Sequence, residues 1–249
     1  MFQHQNIWLP DGEKHFPEWM TKNGEMVNGR GTYQIKKFRE AMKWCKRFRA
    51  AVDVGAHVGL WSMHMASQFA EVYAFEPVVQ FRECWRANMA GVQNTTLHHV
   101  ALGAVRAEVK MAIDPADSGG THVEAAVYVP TGNGTVARIP TPPTPSADSF
   151  QADARVIHPR LVPLVPLDSY EFGEVDFIKI DCEGYELDVL EGAAQTIGRW
   201  KPCIIVEQKP HKLAVNYGIK GAPAVDYLLG MGAKLRKEMG GDYIMSWDD

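Results

Sequence analysis

The stretch "VDFIKIDCEGYELDVLEGA", Val175 to Ala193, constrains the fold more than any other part of the chain. Val175, Phe177, Ile178 and Ile180 are apolar on both faces of an extended segment, as a strand in the middle of a parallel sheet is. Leu187, Leu190, Ala194 and Ile197 then recur at helical spacing. Parallel neighbours need a crossover, usually a helix, so the unit predicts an α/β fold. Its strand ends in two acids, Asp181 and Glu183, and an apolar rod tipped with carboxylates asks for a chemical reason.

The unit repeats on either side. Ala50 to Gly55, "AAVDVG", is a short apolar run stopped by glycine, and Leu60 to Phe69 has helical character. Glu71 to Pro77, "EVYAFEP", is a second strand ending in acid, and Thr95 to Leu102, "TTLHHVAL", reads as a third. Pro202 to Gln208, "PCIIVEQ", is another buried strand with an acid at its end. After the helix-like "APAVDYLLGMG", two strand-like runs joined by Gly-Gly-Asp mark a hairpin, so the last strand is expected to run antiparallel.

Between about residues 108 and 168 the periodicity breaks, and Gly, Pro, Ser and Thr crowd the chain. Short strands and a long excursion are expected there, since too few apolar residues lie together for a separate core. Such excursions tend to be lids or binding loops. The expected organisation is one domain over 1–249, with an N-terminal helical extension over about 1–50 and an inserted region over about 108–168.

A formal net charge of -4 argues against a nucleic-acid groove, which needs a clustered basic face. The one basic run, Lys36 to Arg49, has helical periodicity through Ile35, Phe38, Met42, Cys45 and Phe48 and reads as a solvated helix face. Cys45, Cys84, Cys182 and Cys203 show no paired spacing and fit reduced thiols in the cytoplasm. No apolar run approaches the roughly 20 residues that cross a bilayer, and the first residues lack the pattern of an export signal. A cytoplasmic protein without a membrane span is expected.

In open α/β sheets ligands bind beyond the carboxyl ends of the strands. Asp53, Glu76, Asp181 and Glu207 fall at or close to such ends. In "VDVGAHVG", Gly55 and Gly59 allow close backbone approach between strand and helix. Glu76 follows at about the twenty-residue separation from which an acid reaches ribose hydroxyls. A dinucleotide needs Gly-x-Gly-x-x-Gly so that pyrophosphate rests on the helix N-terminus, but His57 stands where the second glycine belongs. S-adenosylmethionine carries a sulfonium and an ammonium instead of phosphate, and acids around the pocket favour those cations. An NAD-dependent oxidoreductase and a non-catalytic nucleoside-binding module are the alternatives.

The motifs "VDVGAHVGLWS", "AFEP", "VALG", "SGGTHV", "VPLDSY", "VDFIKIDCEGYELDVLEGA" and "PCIIVE" resemble, in order from Ala51 to Glu207, the FkbM family of S-adenosylmethionine-dependent methyltransferases. The resemblance implies a class I methyltransferase (Rossmann-like) three-layer sandwich, with a seven-stranded, mostly parallel sheet whose last strand is reversed. It also implies O-methylation of a hydroxyl on a sugar, glycan or polyketide-like acceptor. Cofactor contacts are then expected at Asp53, Gly55, Ala56, His57, Gly59, Leu60, Glu76, Pro77 and Asp181, with backbone contact to adenine at Ala101 and Leu102. Tyr128 to Val162 is longer than the family pattern, and the first fifty residues match nothing specific in it. Both regions are expected to choose the acceptor.

Methyl transfer is an in-line displacement in which holding the reactants in attack geometry contributes about 7 to 11 kcal/mol. A carboxylate at the strand tip can also take the acceptor's proton, typically for about 100 to 10,000-fold. Asp181 is the first candidate for that role, Glu183 the second, and Glu207 completes the pocket. Plainer readings stand beside these. Glu183, Glu186 and Asp188 lie at a helix start, where acids are favourable against the dipole. Lys179 can serve to neutralise buried acids, His57 is a local hydrogen-bonding residue, and Trp61 and Tyr185 are core or rim aromatics. In "DSGGTHV" the glycines can line the acceptor pocket or merely shape a hairpin. The ligand types of Asp181, Glu183 and Glu207 suit a divalent cation, but no metal is expected.

Overall fold

The apolar runs become one sheet in the computed structural model, which describes residues 1–127, 156–157, 161–211, 213 and 218–247. Its strands are β1 (Ala50–Val54), β2 (Glu71–Phe75), β3 (Thr95–His98), β4 (Val175–Ile180), β5 (Cys203–Glu207), β6 (Lys234–Glu238) and β7 (Asp242–Ser246), in the spatial order β6-β7-β5-β4-β1-β2-β3. Strands β5, β4, β1, β2 and β3 pair in parallel. β7 runs antiparallel to β5 and β6, as the Gly-Gly-Asp hairpin predicts.

The helices α1 (His15–Asn23), α2 (Ile35–Met42), α3 (Leu60–Ala66), α4 (Val79–Asn88), α5 (Glu186–Glu191), α6 (Ala194–Trp200) and α7 (Pro223–Gly230) complete the framework. Side chains alternate across a strand, and the sheet buries both faces. Val52, Val54, Ile178, Ile180, Ile204 and Val206 pack with Leu190, Ile197 and Leu228 of α5, α6 and α7. Ala51, Phe177, Cys203 and Ile205 pack on the opposite side with Phe38, Trp61 and Met65 of α2 and α3. Three layers result, each large buried side chain contributing about 1.5–3 kcal/mol.

Register brings the strand tips to one level. Val54 lies opposite Phe75 on one side and Ile180 on the other, and Ile180 lies opposite Val206. The next residues, Gly55, Glu76, Asp181 and Glu207, therefore emerge together. Chain order reverses between β1 and β4, the switch point at which α/β sheets open a crevice.

The expected third strand divides. β3 ends at His98, level with the end of β2 at Phe75, so the main sheet has no partner beyond it. Ala101–Leu102 instead pairs in parallel with Val162–Val165. That strand and His122–Val127 flank Ala107–Ile113 in a second sheet, which Val156–Ile157 also joins. Val109, Met111, Val123 and Leu164 of this sheet pack on Val78, Phe81 and Tyr185. Most of the expected excursion, residues 128–155 and 158–160, lies outside the described residues.

The basic segment is helical only to Met42. Arg49 is pinned by Asp176, which accepts from its backbone N–H at 2.9 Å and from its Nε at 2.9 Å, and this fixes the entry into β1. The first fifty residues form two short hairpins as well as α1 and α2. Ile7, Leu9, Phe16 and Met20 bury against Val58, Leu60 and Cys84. Among the described residues no helix is long and apolar enough to cross a membrane.

Candidate active site

A cavity of about 520 Å³ opens at the carboxyl ends of β1, β2, β4 and β5. Gly55, Ala56, His57, Leu60, Glu76, Pro77, Ala101, Leu102, Asp181 and Glu183 all line it, and so does Glu207. Gly55 makes the closeness of β1 and β4 feasible. Its φ is +73°, and a Cβ there would stand 2.1 Å from the carbonyl oxygen of Asp181.

Two expected contacts are corrected. Asp53 does not line the cavity: it is fully buried one residue short of the tip, on the α2 and α3 side of the sheet. Its Oδ2 accepts from Ser62 Oγ at 2.6 Å, and Lys179 Nζ lies 3.5 Å from its Oδ1. Gly59 also lies off the cavity, and a Cβ there would come within 2.8 Å of the Trp85 ring. It serves packing at the start of α3.

Lys179 is a strut under the floor. Its ammonium, buried beside β1, donates to the carbonyls of Val54 at 3.2 Å and Gly55 at 2.8 Å and reaches Asp181 Oδ2 at 4.0 Å. Burial opposes its charge, but Asp53 and Asp181 hold its pKa above the ordinary lysine range. The neutralising role read from sequence is the role it has.

Glu76 is oriented before any ligand arrives. Its Oε2 accepts from the His57 N–H at 2.9 Å and its Oε1 from the Val78 N–H at 2.7 Å. Burial pushes its pKa up to about 7, against those two N–H groups. Asp181, Glu183 and Glu207 approach one another so closely that one oxygen from each lies within 4.8 Å of the others. Glu207 is ion-paired with Lys209. Burial, with Asp181 and Glu183 adding to it, pushes Glu207 up to about 9. Burial disfavours the Lys209 ammonium, yet Glu207 holds its pKa above the ordinary range.

His57 adopts φ +51° on the tight turn and stacks on Phe16 with ring centroids 5.0 Å apart. Its Nε2 lies 2.9 Å from Ser118 Oγ, which itself donates to Glu13, so Nε2 is the protonated nitrogen. Burial holds the ring neutral, with a pKa of about 3. Trp61 is buried in the core and donates to Gln34 Oε1 at 3.1 Å, while Tyr185 is buried under the second sheet. Ser118–Gly120 is a short 3-10 turn in the connection between the antiparallel strands Ala107–Ile113 and His122–Val127, and Ser118 and Gly119 also line the cavity.

Sequence reasoning missed the opposite wall. Phe16 and Trp19 of α1, together with Tyr33, line the cavity and touch one another, with centroids 4.8 Å apart for Phe16 and Tyr33 and 4.5 Å for Trp19 and Tyr33. Burial, and then the charges of Asp181 and Glu207, raise the Tyr33 hydroxyl pKa. The only sequence signal was aromatic density in a segment with no sheet periodicity.

The profile of the Methyltransferase FkbM domain matches residues 53–231. The chain belongs to the FkbM methyltransferase family. No curated protein matches this family member significantly. Solved structures resemble its fold. The methyltransferase FkbM of Methylobacillus flagellatus KT is 16% identical with a TM-score of 0.46, covering 81% of this chain and 44% of that one. The FkbM chain described here thus spans less than half the length of that relative. A putative methyltransferase from Streptococcus mutans, solved in complex with SAH, is 9% identical at TM-score 0.44 and covers 86% and 96%. The precorrin-6y C5,15-methyltransferase of Geobacter metallireducens is 12% identical at TM-score 0.44, covering 97% and 98%.

Proposed function

We propose that this FkbM-family chain transfers a methyl group from S-adenosylmethionine to a hydroxyl of a small acceptor, a sugar, glycan or polyketide-like molecule. One observation supports the reading above the others: Gly55, Glu76 and Asp181, far apart in sequence, line a single cavity at the switch point of the sheet. The side-chain-free cradle at Gly55 and the pre-oriented Glu76 carboxylate suit a nucleoside, and the acids suit a cationic donor.

When bound, S-adenosylmethionine supplies an electrophilic methyl on a positively charged sulfur, which an acceptor oxygen takes by in-line displacement. Glu76 would accept the donor's ribose hydroxyls on the lone pairs that His57 and Val78 leave open. The turn from Gly55 to Leu60 would hold the donor's methionine end, and the backbone at Ala101 and Leu102 would hold its adenine. Asp181 orients the acceptor hydroxyl and takes its proton, with Glu183 second in line. Glu207, ion-paired with Lys209 and gathered with Asp181 and Glu183, completes the acidic side of the pocket. The aromatic wall of Phe16, Trp19 and Tyr33 offers apolar faces to the acceptor ring.

Calorimetry with S-adenosylmethionine, S-adenosylhomocysteine and NAD tests the donor. Heat with the sulfur ligands is expected, and heat with NAD alone would end the reading. Turnover of labelled donor against a panel of hydroxylated acceptors tests the transfer. Asp181→Asn is expected to lower kcat about 100-fold while leaving the fold intact. Turnover near that of the wild type would remove Asp181 from its role.

A further inference from the structure

Glu186 reads from sequence as an acid at a helix start, but its surroundings do not fit a dipole contact. Such contacts are weak and typical of exposed acids in the first turn, whereas Glu186 is 1% exposed. Both of its oxygens are engaged. Oε1 accepts from the backbone N–H of Cys182 at 3.1 Å and of Gly184 at 2.8 Å, while Oε2 accepts from Gln208 Nε2 at 2.9 Å. The two N–H groups flank Glu183, which is held at φ +52°, a left-handed conformation that costs a non-glycine residue energy. Gln208, also 1% exposed, follows Glu207 directly, and its Oε1 accepts from the Ala224 N–H at 3.0 Å in the first turn of α7.

We infer that Glu186 and Gln208 are positioning residues, a buried carboxylate–amide pair that bridges the tips of β4 and β5 and holds Asp181, Glu183 and Glu207 together at the cavity. The inference rests on the methyltransferase reading of that site. A carboxylate is needed because one side chain must accept from two backbone N–H groups and from an amide at once. Glutamine at 186 would set its own amide N–H against an N–H donor, whichever way it turned. The pair has an internal test, because exchanging the two side chains restores every bond. In E186Q/Q208E the new amide at 186 accepts from the loop through its oxygen and donates to the new carboxylate at 208, which still accepts from Ala224.

S-adenosylmethionine and S-adenosylhomocysteine differ at the sulfur by one methyl and one positive charge, so their relative affinity reports whether the acids stay gathered. Calorimetry of both ligands with wild type, E186Q, Q208E and E186Q/Q208E needs no acceptor. The single variants are expected to bind S-adenosylmethionine about tenfold more weakly, a change of about 1.4 kcal/mol. S-adenosylhomocysteine should change by less than about threefold, and the exchange should restore the wild-type ratio. A merely structural pair would weaken both ligands alike or lower the melting temperature alone. An affinity ratio unchanged across the four proteins, or an exchange that folds without restoring it, would overturn the inference. Should E186Q not fold, Q208E against the exchange carries the same comparison. Wild type that binds neither ligand would end the donor reading and the inference with it, whereas binding with an unmoved ratio would end only the positioning role.

Discussion

Replacing Lys179 with methionine removes the charge between two acids and leaves the apolar stem in place. The ammonium stands 3.5 Å from Asp53 and 4.0 Å from Asp181. At an effective dielectric of about 20, each such pair is worth about 4 kcal/mol before the cost of burying the lysine is subtracted. That cost is relieved in the variant, but the fully buried Asp53 carboxyl is left with the Ser62 hydroxyl in place of a cation. Removing one partner of a buried pair typically costs about 3–5 kcal/mol, and K179M is expected to lose that much in urea unfolding. Asp181 is partly exposed and can be hydrated, so Asp53 carries most of the penalty. K179M/D53N should therefore recover at least half of the loss. The Val54 and Gly55 carbonyls lose their shared donor at the cavity floor, so S-adenosylhomocysteine should also bind K179M about tenfold more weakly. A K179M protein within about 1 kcal/mol of wild type, or no recovery on adding D53N, would refute the strut.

Three further outcomes follow from the same geometry. Glu76→Gln turns one acceptor into a donor facing the His57 or Val78 N–H, which should cost about 1–3 kcal/mol of stability and at least about tenfold in S-adenosylhomocysteine affinity by calorimetry. Glu76 and Glu186 are both raised by burial to about 7, so between pH 5 and 7 the folded chain holds protons that the unfolded chain releases. Their stabilising share is present at acid pH and lost as pH rises through 7, and urea unfolding should show stability falling across that window; a rise that persists in E76Q would contradict the sign. Lys209 and Lys179 already neutralise the acids at the tips of β4 and β5, so methyl transfer should survive exhaustive chelation; activity lost with EDTA and restored by magnesium would assign a cation to Asp181, Glu183 and Glu207.

The sheet was legible because each central strand is apolar on both faces and is punctuated by glycine or acid at its tip. That Glu76 and Asp181 meet at one cavity was legible for the same reason, since residues just past strands of matching length reach one level. Asp53 misled because it precedes the tip by one residue, and the two-residue period turns its side chain into the α2 and α3 layer. The split after His98 depends on where β2 stops, a property of register rather than of the run itself. Glu186 looked like any acid at a helix start; only burial and its bond to Gln208 distinguish it. The wall of Phe16, Trp19 and Tyr33 was beyond reach, because it meets the turn at His57 by direct stacking of Phe16 and by a bond between Glu13 and Ser118, 105 positions apart, neither of which leaves a local pattern.

The most direct measurement is a crystal structure grown with S-adenosylhomocysteine. The sulfur is expected at the tips of β1 and β4, facing Asp181, with the ribose hydroxyls on the Glu76 carboxylate. A ligand seated elsewhere, or one whose ribose avoids Glu76, would contradict it.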